Sequence, residues 1–304
     1  MKNLLLLFLI TTVIYADNNQ SSIDQYHDNL CEILVSTSNS IDNYFIEESN
    51  SSIGSSTHAE FSSSVAMENS QAFEKSVRLR LRLSLPKIQK NLSLVFEDEN
   101  NDNSLYDRTT LNEEKLVDKS YYLRLEYFKF IKKKFNLVAG AGLRIRHGNL
   151  VPYLNLRSRF DLYKEKPIKS SLYNRLRFYS DGEIEDIFEF NTHYKFDESA
   201  YAIFRNQLTL SNLDNIETLY HDISLVKELN KKKQLSVGGG VRSVLKNFKD
   251  YSVEYCHLHT LYHHLFYKNW GYYQVAPSVL WRESNQFRTS YRLMLNFGIL
   301  FKKG

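Results

Sequence analysis

The fold is decided at the end of the chain, in the stretch Gln286-Phe287-Arg288-Thr289-Ser290-Tyr291-Arg292-Leu293-Met294-Leu295-Asn296-Phe297-Gly298-Ile299-Leu300-Phe301. Every second residue, from Phe287 through Tyr291, Leu293, Leu295, Phe297 and Ile299 to Phe301, belongs to an almost wholly apolar and aromatic row. The residues between, among them Arg288, Ser290, Arg292 and Asn296, are mostly polar. Successive side chains of a strand point to opposite faces, so strict period-two alternation specifies a strand with one apolar face. The stretch is much longer than the roughly five or six residues of a typical soluble strand and suits a tilted membrane-spanning one.

Upstream, the same alternation recurs back to about Thr57. It predicts strands near 59–67, 76–86, 90–97, 119–130, 134–147, 150–164, 169–180, 185–196, 199–211, 216–229, 233–246, 250–267, 270–283 and 286–302. The first has the weakest pattern, because Phe61, Val65 and Met67 alternate with little besides serine. It is retained because single-chain bacterial barrels have even strand numbers. The expectation is an all-β, transmembrane, antiparallel up-and-down β-barrel of about fourteen strands, within a range of roughly 12 to 16. The connections divide as such a barrel requires, short at one end, with one long acidic and Asn-rich loop, Asp98 to Asp118, at the other.

One face of each strand is greasy. Val77, Leu79, Leu81, Leu83 and Leu85 share a face, as do Leu137, Ala139, Ala141, Leu143 and Ile145, then Leu154, Leu156, Phe160 and Leu162, then Phe188, Phe190, Tyr194 and Phe196. The opposite rows carry arginine: Arg78, Arg80 and Arg82 together, Arg144 with Arg146, Arg157 with Arg159, Arg175 with Arg177, Arg288 with Arg292, and Arg124, Arg205 and Arg242 singly. Clear acids on those faces are fewer, namely Glu97, Glu126, Asp161, Glu189 and Asp222. Guanidinium groups are always charged and bind carboxylates or phosphates through a planar fork of donors, so these fourteen arginines are candidates for an anion pathway. The alternative is a closed or plugged barrel whose interior is an Arg/Glu lattice, since barrels of about fourteen strands lie between the filled and open extremes.

The amino terminus supplies the export address. A basic start at Lys2, an apolar run from Leu4 to Ile14 and the small residue Ala16 read as a secretory signal peptide over residues 1–16. Residues 17–56 follow as a helical or flexible leader, a periplasmic cap or a lumenal plug, with one or two short amphipathic helices separated near Ser36, Ser38 and Ser40. Residues 57–304 form the barrel. The chain has 304 residues, 21 Tyr and 19 Phe against 4 Pro, an aromatic load suited to lipid-facing strands and their interfacial girdles. A mean hydropathy of -0.43 argues against a helical membrane protein but not against a barrel. A net charge of +4 gives no reason to expect nucleic acid as a partner. Cys31 and Cys256 have no CxxC spacing, so a redox or structural zinc motif is absent, while pairing with each other stays open.

The densest histidine cluster is His257-Leu258-His259-Thr260-Leu261-Tyr262-His263-His264. His257, His259 and His263 share a strand face and are candidate metal ligands only if another strand supplies a third donor. No acidic partner on a neighbouring strand is identifiable, so the reading is inward polar filling, with no metal and no cofactor expected. Gly238-Gly239-Gly240 lies within a strand pattern, where glycine permits a bend or a close approach. Membrane-embedded lipid hydrolases that pair His with Ser two residues on are not matched. His147, His193, His221, His257 and His259 are all followed two positions later by something else, and no enzyme is expected.

An amphipathic strand ending in an aromatic residue resembles the terminal strand of Gram-negative outer-membrane barrels, which the barrel-assembly machinery reads; here Lys302-Lys303-Gly304 follow Phe301. Arg78-Leu79-Arg80-Leu81-Arg82-Leu83-Ser84-Leu85-Pro86 and Leu92-Ser93-Leu94-Val95-Phe96-Glu97-Asp98-Glu99 resemble the opening hairpin of a group of uncharacterised proteobacterial outer-membrane proteins. In that group an Ile-Asp-x-Tyr/Phe-Phe leader motif precedes the hairpin, similar to Ile41-Asp42-Asn43-Tyr44-Phe45. The resemblance implies membership without a catalytic residue, an outer-membrane location, and lipid and lipopolysaccharide as surroundings. The expectation is a porin-like channel passing small anionic solutes.

Overall fold

The computed structural model describes residues 20–45, 57–69, 71–85, 92–98, 121–132, 134–146, 148–163, 167–212, 216–246 and 250–302. The signal peptide and the Asp/Asn-rich loop beyond Asp98 lie outside them. A helix, α1 (Gln20–Phe45), precedes fourteen strands. The first seven are β1 (His58–Glu68), β2 (Glu74–Ser84), β3 (Ser93–Asp98), β4 (Tyr121–Ile131), β5 (Phe135–Arg146), β6 (Asn149–Tyr163) and β7 (Ile168–Tyr179). The others are β8 (Ile184–Lys195), β9 (Ala200–Ser211), β10 (Ile216–Asn230), β11 (Lys233–Lys246), β12 (Asp250–Tyr267), β13 (Gly271–Arg282) and β14 (Thr289–Lys302).

Each strand pairs antiparallel with its sequence neighbours, and β1 pairs with β14 to close the barrel. The closing register runs from His58 opposite Lys302 to Glu68 opposite Arg292. The strand with the weakest sequence pattern therefore makes the closing seam. Outward rows remain exposed, as at Val77, Leu79, Leu143, Leu154, Phe188 and Tyr194, and inward rows are buried and mostly polar. That is the inverse of a soluble core. It satisfies every strand edge by closure, which a lipid environment demands.

Two expectations are corrected. The terminal strand begins at Thr289, because Glu283–Asn285 form a 3-10 turn and Gln286 and Phe287 adopt φ of 60° and 55°, a left-handed backbone that cannot continue a strand. Arg288 is thus an exposed turn residue outside the inward row. The leader is one continuous helix with no break near Ser36, Ser38 and Ser40, because its serines are used instead of breaking it. The Ser36 hydroxyl donates to the Ile33 carbonyl at 3.0 Å within the helix, and the buried Ser38 hydroxyl donates to the Ser84 carbonyl of β2 at 2.5 Å.

Helix α1 docks at the end of the barrel where β1 begins and β14 ends. His27 donates through Nε2 to the Leu300 carbonyl (2.9 Å) and stacks on Trp270 and Phe301, with ring centroids 4.5 and 5.4 Å apart. Asp24 pairs with Lys268 at 2.5 Å in the β12–β13 turn. Phe301, Ala59, Leu83 and Leu85 belong to outward rows, and the last three are buried here although the same rows are exposed further along. The helix therefore covers the outer rim. Cys31 is buried on α1 beside His27, and both it and Cys256 are free thiols.

Candidate functional site

The inward wall is built from three-strand units in which a glycine on the middle strand lets the flanking strands touch. Glu126 of β4 lies opposite Gly140 of β5, and a Cβ there would enter the Leu125 carbonyl. Across that gap Glu126 binds Arg157 of β6, and it also takes Arg82 of β2 at 2.7 Å and Arg124 at 3.2 Å. One carboxylate thus holds three guanidinium groups. Gly142, the next inward residue of β5, makes room for the Tyr153 ring, which meets Tyr122 edge-on at 5.6 Å and Tyr179 at 5.5 Å. Arg177 lies over the Tyr122 ring at 4.2 Å and Arg144 over Tyr179 at 3.8 Å, a geometry in which the ring quadrupole attracts the cation. Both arginines are also ion-paired, Arg177 with Glu185 (3.2 Å) and Arg144 with Glu183 (2.5 Å) and Asp181 (3.2 Å).

At the closing seam Glu68 of β1 accepts from Arg292 at 3.2 Å and Arg282 at 3.1 Å, and Arg292 reaches Glu74 at 3.1 Å. Tyr272 of β13 donates its hydroxyl over Gly298 to Glu60, which also pairs with Arg80 at 3.5 Å. Elsewhere Arg159 pairs with Asp161 (2.8 Å), Arg175 with Glu185 (3.2 Å), Arg205 with Glu189 (3.8 Å) and Arg242 with Glu254 (2.8 Å). Arg78 is half-buried on the same row of β2. The side chains of Arg146 and Glu97 lie outside the described residues.

Two tiers of arginine result. Arg124, Arg177 and Arg292 keep only 1 % of their side-chain surface, whereas Arg82, Arg157, Arg175, Arg205 and Arg242 keep between 15 and 22 % while still paired. Seven acids in these pairs, Glu60, Glu68, Glu74, Asp181, Glu183, Glu185 and Glu254, were missed in the sequence reading, as was Arg282. The parity signal was present for Glu60 and Glu68, which share the even-numbered face of β1 with Ser62 and Ser64. Glu183 sits in a turn, where period two gives no face. The interior is not polar throughout: Ala66, Leu261, Ala276 and Met294 pack together inside the wall near the seam.

Of the three candidate histidines, the structure brings His257 and His259 together with Asp222 of β10, while His263 lies apart against Tyr272 at 5.3 Å. Asp222 was read as an inward acid but not as their partner, because it sits two strands away. Ser224 is also here, but it is 1 % exposed and its hydroxyl donates to Asp222 Oδ1 at 2.9 Å. The same hydroxyl lies 3.4 Å from His259 Nε2.

Fourteen closed antiparallel strands, apolar outside and charged inside, define a transmembrane β-barrel of the bacterial outer-membrane type. No family model matches the chain, and no curated protein matches it. Among solved structures it is similar to OprB of Pseudomonas putida, with a TM-score of 0.54 at 9 % identity over 82 % of this chain and 94 % of that one. It is also similar to the outer-membrane channel DcaP of Acinetobacter baumannii (TM-score 0.48, 8 % identity, 81 % and 96 % covered). OmpT of Vibrio cholerae gives 0.48 at 7 % identity, covering 83 % of this chain and 100 % of that one. At these identities the OprB likeness speaks to the fold alone.

Proposed function

We propose that this protein is a porin-like passage of the outer membrane that favours small anionic solutes. The observation that carries the reading is the outer tier of arginines, Arg82, Arg157, Arg175, Arg205 and Arg242, each tied to the wall by a carboxylate yet partly exposed on the inward face. A guanidinium has five N–H donors, so one that spends part of its fork on the wall keeps donors for a passing carboxylate or phosphate. The rim position of α1 supports the same reading, because the helix is docked outside the wall. Export through a cleaved signal peptide, a lipid and lipopolysaccharide belt around the outward rows, and recognition of β14 by the assembly machinery complete the proposal. A second reading, a closed structural barrel, is favoured by the carboxylate partners of nearly every described arginine and by the apolar packing around Leu261.

Planar-bilayer recording of the refolded chain in a salt gradient separates the two. The passage should conduct with a reversal potential favouring chloride, and replacing Arg82, Arg175 and Arg205 by Gln together should move that potential toward zero while the barrel still migrates as a heat-modifiable species. The preference should weaken at high salt, as screening requires. Silence under all voltages would establish the closed reading, and cation preference would overturn the anionic one.

A further inference from the structure

We propose that Asp222, His257 and His259 form a binding site for a divalent first-row transition-metal ion of the zinc class, built into the barrel wall. One donor atom from each of the three lies within 4.8 Å of the others. All three side chains are buried, with 2, 2 and 7 % of their surface exposed. Neither ring nitrogen of His257 has a hydrogen-bond partner, and neither has Asp222 Oδ2. Buried polar atoms are nearly always paired, so an unsatisfied His257 Nε2 facing an unsatisfied Asp222 Oδ2, with His259 Nε2 held only by a long 3.4 Å contact to Ser224 Oγ, calls for a ligand between them. The separation of His257 Nε2 from Asp222 Oδ2 is 3.7 Å, too long for a hydrogen bond. It is close to the edge of about 3.3 Å that two donors about 2 Å from a tetrahedral ion would span.

The register explains why these residues meet. Asp222 of β10, Gly240 of β11 and His257 of β12 lie in one cross-strand row, and Ser224, Gly238 and His259 form the next. A Cβ on Gly240 would stand 2.8 Å from His257 Cε1 and 3.3 Å from Asp222 Oδ2, and one on Gly238 would stand 2.9 Å from His259 Cε1. The glycines therefore hold the space across which β10 and β12 donate. Ser224, donating to Asp222 Oδ1, fixes the carboxylate and leaves Oδ2 available, the part that partners of ligands commonly play. Arg205 lies opposite Asp222 on β9, but it pairs with Glu189. Two imidazoles and one carboxylate suit zinc and its transition-metal neighbours, and they do not suit magnesium or calcium, which prefer all-oxygen shells. Such an ion would tie β10 to β12 across the strand with the fewest side chains of its own.

The test uses the full chain refolded in detergent with zinc chloride, then gel-filtered and assayed for bound metal. About one zinc per chain is expected, and Asp222→Asn or His257→Gln should each weaken binding by more than about a hundredfold, beyond the roughly 10- to 100-fold that loss of an outer-shell partner alone costs. His264→Gln, whose ring instead meets Tyr273 Oη at 3.1 Å, should bind as the parent does. Should the ligand variants fail to fold, cobalt loading of the parent decides the matter. Visible ligand-field bands of a four-coordinate nitrogen and oxygen site support the proposal, and their absence overturns it. Sub-stoichiometric zinc, or zinc retained unchanged in Asp222→Asn and His257→Gln, overturns it equally.

Discussion

Glu126 is 2 % exposed and holds Arg82, Arg124 and Arg157, so its negative charge compensates three buried or half-buried cations. Removing one partner of a buried ion pair leaves the others unsolvated, a loss of about 3–5 kcal/mol. Glu126→Gln should lower the urea midpoint of the folded barrel accordingly, and an unchanged midpoint would mean that water already solvates these arginines. Asp197, in the exposed β8–β9 turn, makes a different case. Its carboxylate accepts from the Ser199 amide (2.6 Å), the Ser199 hydroxyl (2.9 Å) and the Ala200 amide (2.7 Å). These donors, the Ser199 amide foremost, pull its pKa from 3.8 down to about 2. Because the folded value is depressed, the contribution to the turn is complete above the unfolded value and is lost as pH falls through the folded one. The Asp197 carboxyl resonance should therefore titrate near pH 2, and a midpoint near 4 would sink the argument. The arginines of the wall were legible in the sequence because period two assigns each a face. Their partners were less so, since Arg157 finds Glu126 two strands away and only the three-dimensional register names that pairing.

At the scale of elements, the alternation placed twelve strands within about two residues at their starts and set those of β3 and β14 three residues early, the latter because Gln286 and Phe287 turn into left-handed backbone that hydrophobicity does not encode. The leader misled for a related reason: serine is a poor helix former in isolation, but the burial of Ser38 against β2 outweighs that preference. Less legible was the use of inward glycine outside the Gly238-Gly239-Gly240 run, the one place read as allowing a close approach. Gly142 and Gly298 look like weak points in their strands, yet each admits an aromatic ring from a flanking strand. Gly142→Ala would drive a methyl group into the Leu123 carbonyl and the Tyr153 ring, an overpacking cost of about 1–3 kcal/mol, measurable as a lower urea midpoint. A neutral result would show that Tyr153 rotates away freely. On the other face, Leu143 is 37 % exposed on an outward row. Leu143→Arg should cost about 2–4 kcal/mol in bilayer if the site lies near the midplane. If that change proved harmless while a polar residue at inward Gly142 were lipid-accessible, the strand would be out of register by one.

For the molecule as a whole, the central claim is that β1 closes a membrane-spanning barrel with its even-numbered residues inward and its odd-numbered residues toward lipid. The claim rests on the least patterned strand, whose serines Ser62 and Ser64 are 5 and 3 % exposed while Phe61 and Met67 are 43 and 45 % exposed. Ser64 donates to Asn296 at 3.0 Å and Asn296 to Gln274 at 2.7 Å, so the seam is held by a polar ladder inside as well as by backbone pairing. Most residues of this strand are small, which makes it suited to a cysteine scan of positions 61–67 in a background where Cys31 and Cys256 are serine. With nitroxide labels and the protein in lipid bilayers, collision with dissolved oxygen should peak at 61, 63, 65 and 67 and fall at 62, 64 and 66. Equal exposure to a water-soluble relaxant at all seven positions, or oxygen maxima at the even positions, would contradict the account.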